Sequence, residues 1–168
     1  MQCYFFETSA LVKRYKWEPG SDYVDGIFKN ESTFYYLDLA VLEVRKAFYR
    51  LYKYPQNQDI QKRETFTEEQ FHNAEAQFAA DLLRMRCIHF DSIVIQKAAL
   101  VLEQRWLASV FDLVQLAAFL VVRDLNPATY LVCSDARSSL IEVAQQVCDP
   151  HAVIIPEQQS TVVKFEEK

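Results

Sequence analysis

Glycine is scarce in this chain, with two in 168 residues. No P-loop, no GxGxxG cradle and no GxSxG elbow occurs, so the usual signatures of nucleotide cradling and serine hydrolysis are missing. Long hydrophobic runs are missing as well. No stretch reaches the roughly 20 apolar residues that span a bilayer, and the first residues carry no charged lead into an apolar segment. The expectation is a soluble, cytoplasmic protein with no membrane partner. Positive charge is in deficit: the formal net charge is −5. That excludes a chain coated in basic residues that holds nucleic acid by charge alone. It leaves room for an enzyme that meets a polyanion through metal ions and a local basic patch. Cys3, Cys87, Cys133 and Cys148 show neither CxxC nor zinc-knuckle spacing, and three of them lie in strand-like runs, so they read as reduced core thiols. His72, His89 and His151 are scattered, without metal-ligand spacing. A DxD pair after the first strand, expected of an aspartyl-phosphate phosphatase, is absent.

What is present is apolar and aromatic. Hydrophobic residues make up 51% of the chain, with twelve Phe and nine Tyr, enough for one globular domain with a real core. That domain is expected over residues 1–156, with a polar tail over 157–168. Short apolar runs alternate with helical periodicity. "CYFF" reads as a strand, with Ser9 capping a helix through "ALVKRYKW". "GSDYVDGIFK" reads as a second helix, and "FYYL" as a strand before a helix from about Asp38 to Tyr52. Pro55 and "QNQDIQK" mark a break. Thr67 and Gln70 have capping-box spacing ahead of a long helix. "RCIHF" is the next strand, Asp91 caps "SIVIQKAALVLEQ", and Ser109 opens "VFDLVQLAAFLVV". "TYLVCS" and "AVIIP" are the last strands, flanking the helix "ARSSLIEVAQQV". Strands spaced by helices imply right-handed crossovers and a parallel sheet covered on both faces. Ligands of such sheets sit outside the carboxyl ends of the strands.

Four carboxylates stand where that rule directs attention. Glu7 directly follows the first strand; taken alone, it reads as a charge at a helix terminus. Glu43 lies in the first turns of its helix. It borders the core-facing stripe of Ala40, Val44, Ala47 and Leu51 beside small side chains, and an exposed pair with Lys46 is the alternative. Asp112 and Gln115 are the polar residues in an otherwise apolar run from Val110 to Val122. A carboxylate there must be paired, coordinated or placed at a terminus, and Ser109 with Asp112 has capping-box spacing. Asp135 follows "TYLVCS" and has an N-cap as its ordinary role. Together, acids crowded at one sheet edge repel unless they are protonated or neutralised. Mg²⁺ or Mn²⁺ is the hard, oxygen-seeking partner that suits them. Such a site activates water and stabilises charge on a phosphate during in-line displacement. The pattern therefore points to a metal-dependent phosphodiesterase.

The same segments resemble the PIN domain, specifically the small toxin ribonucleases of the VapC type. "YFFETSALVKRYKWEPGS" is similar to that family's first strand and its D-T-S-A-L-x-K motif, with Glu7 in the place of the aspartate. "LDLAVLEVRKAF" resembles the segment carrying the metal-site glutamate, here Glu43. "FDLVQLAAFL" resembles the D-A-x-x-L-A-x-A helix and places Asp112 on the third acid. "LVCSDARSSL" resembles the segment of the fourth acid, here Asp135. The resemblance runs from about residue 3 to 156. It implies a three-layer α/β/α sandwich around a central parallel sheet, and Mg²⁺- or Mn²⁺-dependent cleavage of single-stranded RNA. It also implies homodimerisation and inhibition by a small antitoxin protein. Thr8 and Ser9 match small polar positions that support the metal site by hydrogen bonds. The stretch around "QNQDIQKRETFT" is longer than in compact members.

Lys13, Arg14 and Lys16, with Arg45, Lys46, Arg50 and Lys53, offer basic rims for the RNA backbone, and Tyr49 and Tyr52 offer rings for base stacking. For any one of them taken singly, an ordinary solvated helix face is the better account. Two further functions compete with the ribonuclease: a PIN-like RNA-binding or protein-interaction module that has lost catalysis, and a metal phosphohydrolase acting on DNA or a small phosphate ester. Glu7 separates the first of these from the enzyme, because its extra methylene moves the oxygens by on the order of 1 Å.

Overall fold

The structure, a computed structural model, describes residues 2–54, 65–134 and 139–159. Strand β1 (Gln2–Phe6) is followed by α1 (Thr8–Val12) and α2 (Ser21–Lys29), and β2 (Ser32–Leu37) by α3 (Ala40–Tyr52) and α4 (Glu68–Leu82). After β3 (Arg86–Ile88) come α5 (Ser92–Gln104) and α6 (Val110–Leu125), then β4 (Thr129–Val132) and α7 (Leu140–Val147). A 3-10 turn at Pro150–Ala152 leads into β5 (Val153–Ile154), and α8 (Pro156–Gln159) follows, so the expected polar tail begins inside a helical turn. The break at Pro55 and "QNQDIQK" lies outside the described residues.

The described strands form one sheet of order β3-β2-β1-β4-β5, every pairing parallel. Helices cover both faces, giving a three-layer α/β/α sandwich. Strand side chains alternate between two cores. Tyr4, Phe6, Phe34 and Tyr36 join α1 to α4 on one face, while Phe5, Leu37 and Leu131 join α5 to α7 on the other. Strands buried on both faces have no polar alternation to show, which is why "CYFF" and "TYLV" read as continuous apolar runs. The aromatic excess concentrates in the first core, where the Phe28 and Phe34 rings stack at 4.6 Å and Phe48 meets Tyr15 and Phe78 edge-on.

Side-chain caps set the starts of α1, α4, α5 and α6. Thr67 accepts from Gln70 N and the Gln70 side chain returns to the Thr67 N–H, completing the box. Asp91 accepts from Ile93 N and Val94 N, and Ser109 from Asp112 N. One assignment differs: Glu7, not Ser9, caps α1, and the helix stops at Val12. Beyond it, Lys13 is 6% exposed, held by Glu18 at 3.0 Å and by Glu157 of α8 at 2.9 Å. Arg14 pairs with Asp25 and Asp81. These distant partners draw the chain off the helical path that its local pattern favours.

The chain builds β1, β2 and β3 outward on one side, then returns to lay β4 on the other side of β1. That reversal makes the β1–β4 boundary the topological switch point, where a crevice opens past the strand ends.

Candidate active site at the sheet edge

Glu7 is the first residue past β1. Its N–H donates to Val132 O at 3.0 Å, tying the end of β1 to β4 at the switch point. The residue is 4% exposed, a burial that would strongly disfavour a carboxylate left without donors. Donors surround it. Oε2 accepts from Ser9 N at 2.9 Å and from the Cys133 thiol at 3.7 Å. Ser9 Oγ also donates to Oε2, and itself accepts from Ser134 N at 3.1 Å. Oε1 accepts from Gln115 Nε2 at 3.1 Å. The extra methylene lets one carboxylate reach the start of its own helix and the interior of α6 together.

Gln115 was not among the candidate residues of the sequence, and it is fully buried. Besides Glu7, its Nε2 donates to Thr8 Oγ1 at 3.2 Å, and its Oε1 accepts from Thr8 N at 3.3 Å. One amide thus joins α6 to the first turn of α1. The available signal was its position: an amide in an apolar run must find partners when buried.

Glu43 and Asp112 both stand in the first turn of their helices, α3 and α6, where the positive end of the macrodipole favours negative charge. Glu7, Glu43 and Asp112 line one cavity of about 530 Å³, together with Thr8, Ser9 and Ser134. Lys16, Lys46 and Arg50 line the same cavity. Glu43, Lys46, Ala47 and Arg50 are spaced to share a face of α3, and the small Ala47 leaves room beside Glu43. Asp135 lies outside the described residues.

The basic rim is narrower than the sequence suggests. Lys13 and Arg14 are committed to ion pairs, and Arg45, which does not line the cavity, pairs with Glu75 at 3.4 Å, as Lys16 does with Glu18. Lys16, Lys46 and Arg50 remain at the cavity. Tyr49 and Tyr52 both pack on Phe71, at 4.9 and 4.8 Å between ring centroids, and Lys53 sits over each ring. Packing on Phe71 fixes these rings, and Tyr49 keeps 43% of its surface exposed.

Divalent-cation chemistry can be weighed on the donor set. Glu7, Glu43 and Asp112 offer oxygen ligands, and Ser134 Oγ is buried at the cavity with no hydrogen-bond partner among the described residues. Among those residues no three His, Cys, Asp or Glu side chains come close enough to hold one ion together. Mg²⁺ needs less than that: one or two carboxylates suffice when water and substrate phosphate complete the shell. The described donor set therefore fits Mg²⁺ or Mn²⁺ held by one or two carboxylates, with water and substrate phosphate completing the shell.

No protein-family model matches the chain, and no curated protein matches its sequence. Among solved structures, the fold is similar to a chain of VapBC2 from Rickettsia felis, bound in that structure to a DNA fragment from their promoter. The match covers 80% of this chain and 89% of that one, with a TM-score of 0.53 and 14% sequence identity. At that identity the likeness is one of fold.

Proposed function

We propose that the protein is a metal-dependent endoribonuclease of the VapC toxin kind, cleaving single-stranded RNA and held in check by a small antitoxin protein. The observation that carries this reading is the shared cavity: acids from β1's end, α3 and α6 meet at the switch point of a parallel sheet, with three cations beside them. The motif resemblance and the fold likeness to VapBC2 support it. Glu43 and Asp112 would hold Mg²⁺ or Mn²⁺, with Asp135 as the further acid of the motif. The bound ion would supply Lewis-acid stabilisation of the phosphate and an activated water. Lys16, Lys46 and Arg50 attract and orient the RNA backbone. Glu7, fixed by Ser9, Cys133 and Gln115, sets the negative field at the strand end, and Thr8 and Ser9 keep it in place. The reading includes a homodimer, supported by the apolar side chains that α5 leaves exposed.

Cleavage of single-stranded RNA by purified protein with Mg²⁺ or Mn²⁺ tests the reading. Activity should vanish with chelator and fall by about 100-fold or more in Asp112→Asn, the scale on which lost charge stabilisation is felt. Equal activity in wild type and Asp112→Asn would overturn it. A second reading, a PIN-like RNA-binding or protein-interaction module without catalysis, is favoured by one observation: the Glu7 carboxylate is already engaged by protein donors. RNA binding without cleavage, with activity gained in Glu7→Asp, is the outcome that selects it.

A further inference from the structure

A second cavity, of about 230 Å³, shares Lys16 with the first. Its walls are Tyr15, Trp17, Phe66 and Ala74, with Gln70, Asn73 and Gln77 contributing amides. The last three recur at helical spacing and lie along one face of α4. All three amides are exposed, and Gln70 uses its Oε1 on Thr67 N at 2.8 Å. Trp17 is 71% exposed, a large ring left at the surface where burial would stabilise it.

We propose that this cavity is a nucleobase subsite, which takes an unpaired base of the RNA strand whose phosphate lies at Lys16. The inference rests on the reading of single-stranded RNA as substrate and adds where one base goes. Four features fit such a ligand. The cavity is smaller than the roughly 300–1,000 Å³ typical of drug-sized ligands, which suits one planar ring. Trp17 offers a π-face for stacking, an interaction tolerant of base identity. The carboxamides present donors and acceptors together, the combination that reads the edge of an unstacked base. Lys16 is the one charged side chain among the described residues that line the cavity, which suits a neutral ring beside an anionic group. Lys16 also reaches Glu18 at 3.4 Å, a long pairing that a phosphate can compete for.

The test is a binding measurement in chelator, so that no cleavage is required. Trp17 and Trp106 are the two tryptophans of the chain, and Trp106→Phe leaves Trp17 as sole reporter. A short single-stranded RNA should quench its fluorescence saturably, while an abasic oligomer of the same length should not. Trp17→Ala should weaken RNA binding by about tenfold, the effect of removing one stacking partner, and Trp17→Tyr should restore most of it. Circular dichroism of each variant checks that the fold is kept. The inference is overturned if the abasic oligomer quenches equally, or if Trp17→Ala binds RNA as wild type does. Cleavage with an unchanged Trp17→Ala sinks this subsite and spares the ribonuclease. Quenching without any metal-dependent cleavage supports the subsite and removes the ribonuclease.

Discussion

Gln115 is the residue on which a buried Glu7 depends. It stands 108 positions away and gives Oε1 a donor, while its own oxygen takes the Thr8 N–H. Gln115→Leu keeps a side chain of similar reach but removes one donor from the Glu7 carboxylate and the acceptor of Thr8 N. Each unsatisfied buried group costs about 1–3 kcal/mol, so unfolding in urea should show a loss of about 2 kcal/mol or more. A loss below about 0.5 kcal/mol would mean that water replaces the amide easily and that the clamp is not what holds Glu7. The positions of Glu7, Glu43 and Asp112, after a strand or at helix openings, were legible from the pattern. Their donors were not, because nothing in the local pattern of "DLVQLAA" points to a partner at the far end of the chain. The same distance explains the misplaced rim: Lys13 looks solvent-facing until Glu157 is brought against it.

Helices whose starts are set by local chemistry were readable, and α4 is the clearest case. Thr67 and Gln70 satisfy each other's backbone groups at an exposed helix start. Thr67→Ala should therefore lower stability by about 1 kcal/mol. In a double-mutant cycle with Gln70→Ala, a coupling of zero would show that the two bonds act independently. At α1 the same reasoning misassigns the cap. Serine is the better cap by preference, yet the end of β1 is fixed by the sheet, and Glu7 emerges there with its N–H already bound to β4. Register in a parallel sheet outweighs a local preference worth about 1 kcal/mol. Strand content was legible for a related reason, since runs apolar on both sides leave few alternatives to a covered sheet.

Two consequences belong to the whole molecule. Tyr15 binds Asp81 at 3.2 Å while Arg14 reaches the same oxygen, linking the segment after α1 to α4. Burial first, and then the Asp81 charge, push the Tyr15 phenol well above its ordinary value of 10.0. The folded state thus keeps a proton that the unfolded chain releases above pH 10, so this contribution is complete below pH 10 and falls as the pH rises beyond it. Denaturant midpoints measured through the alkaline range should decline above pH 10, and Tyr15→Phe should flatten that decline; an unaltered slope would remove Tyr15 as its source. The second consequence concerns assembly. Helix α5 buries Val94, Ala98 and Val101 yet leaves Ile93, Leu100 and Leu102 about half exposed, and Trp106 and Val110 after it are more than 70% exposed. Ile93 and Leu100, seven positions apart, share one face of α5, where exposed apolar side chains suit an interaction surface. The homodimer in our proposal places it against a second copy, an arrangement in which each α5 face meets its symmetry equivalent. Sedimentation of the wild type should then give a dimer, and Ile93→Lys with Leu100→Lys should give a folded monomer, because two buried charges per copy are repeated across the axis. A monomeric wild type would withdraw the second copy and leave the face to a different chain, the antitoxin of the proposal being the one to mix in next.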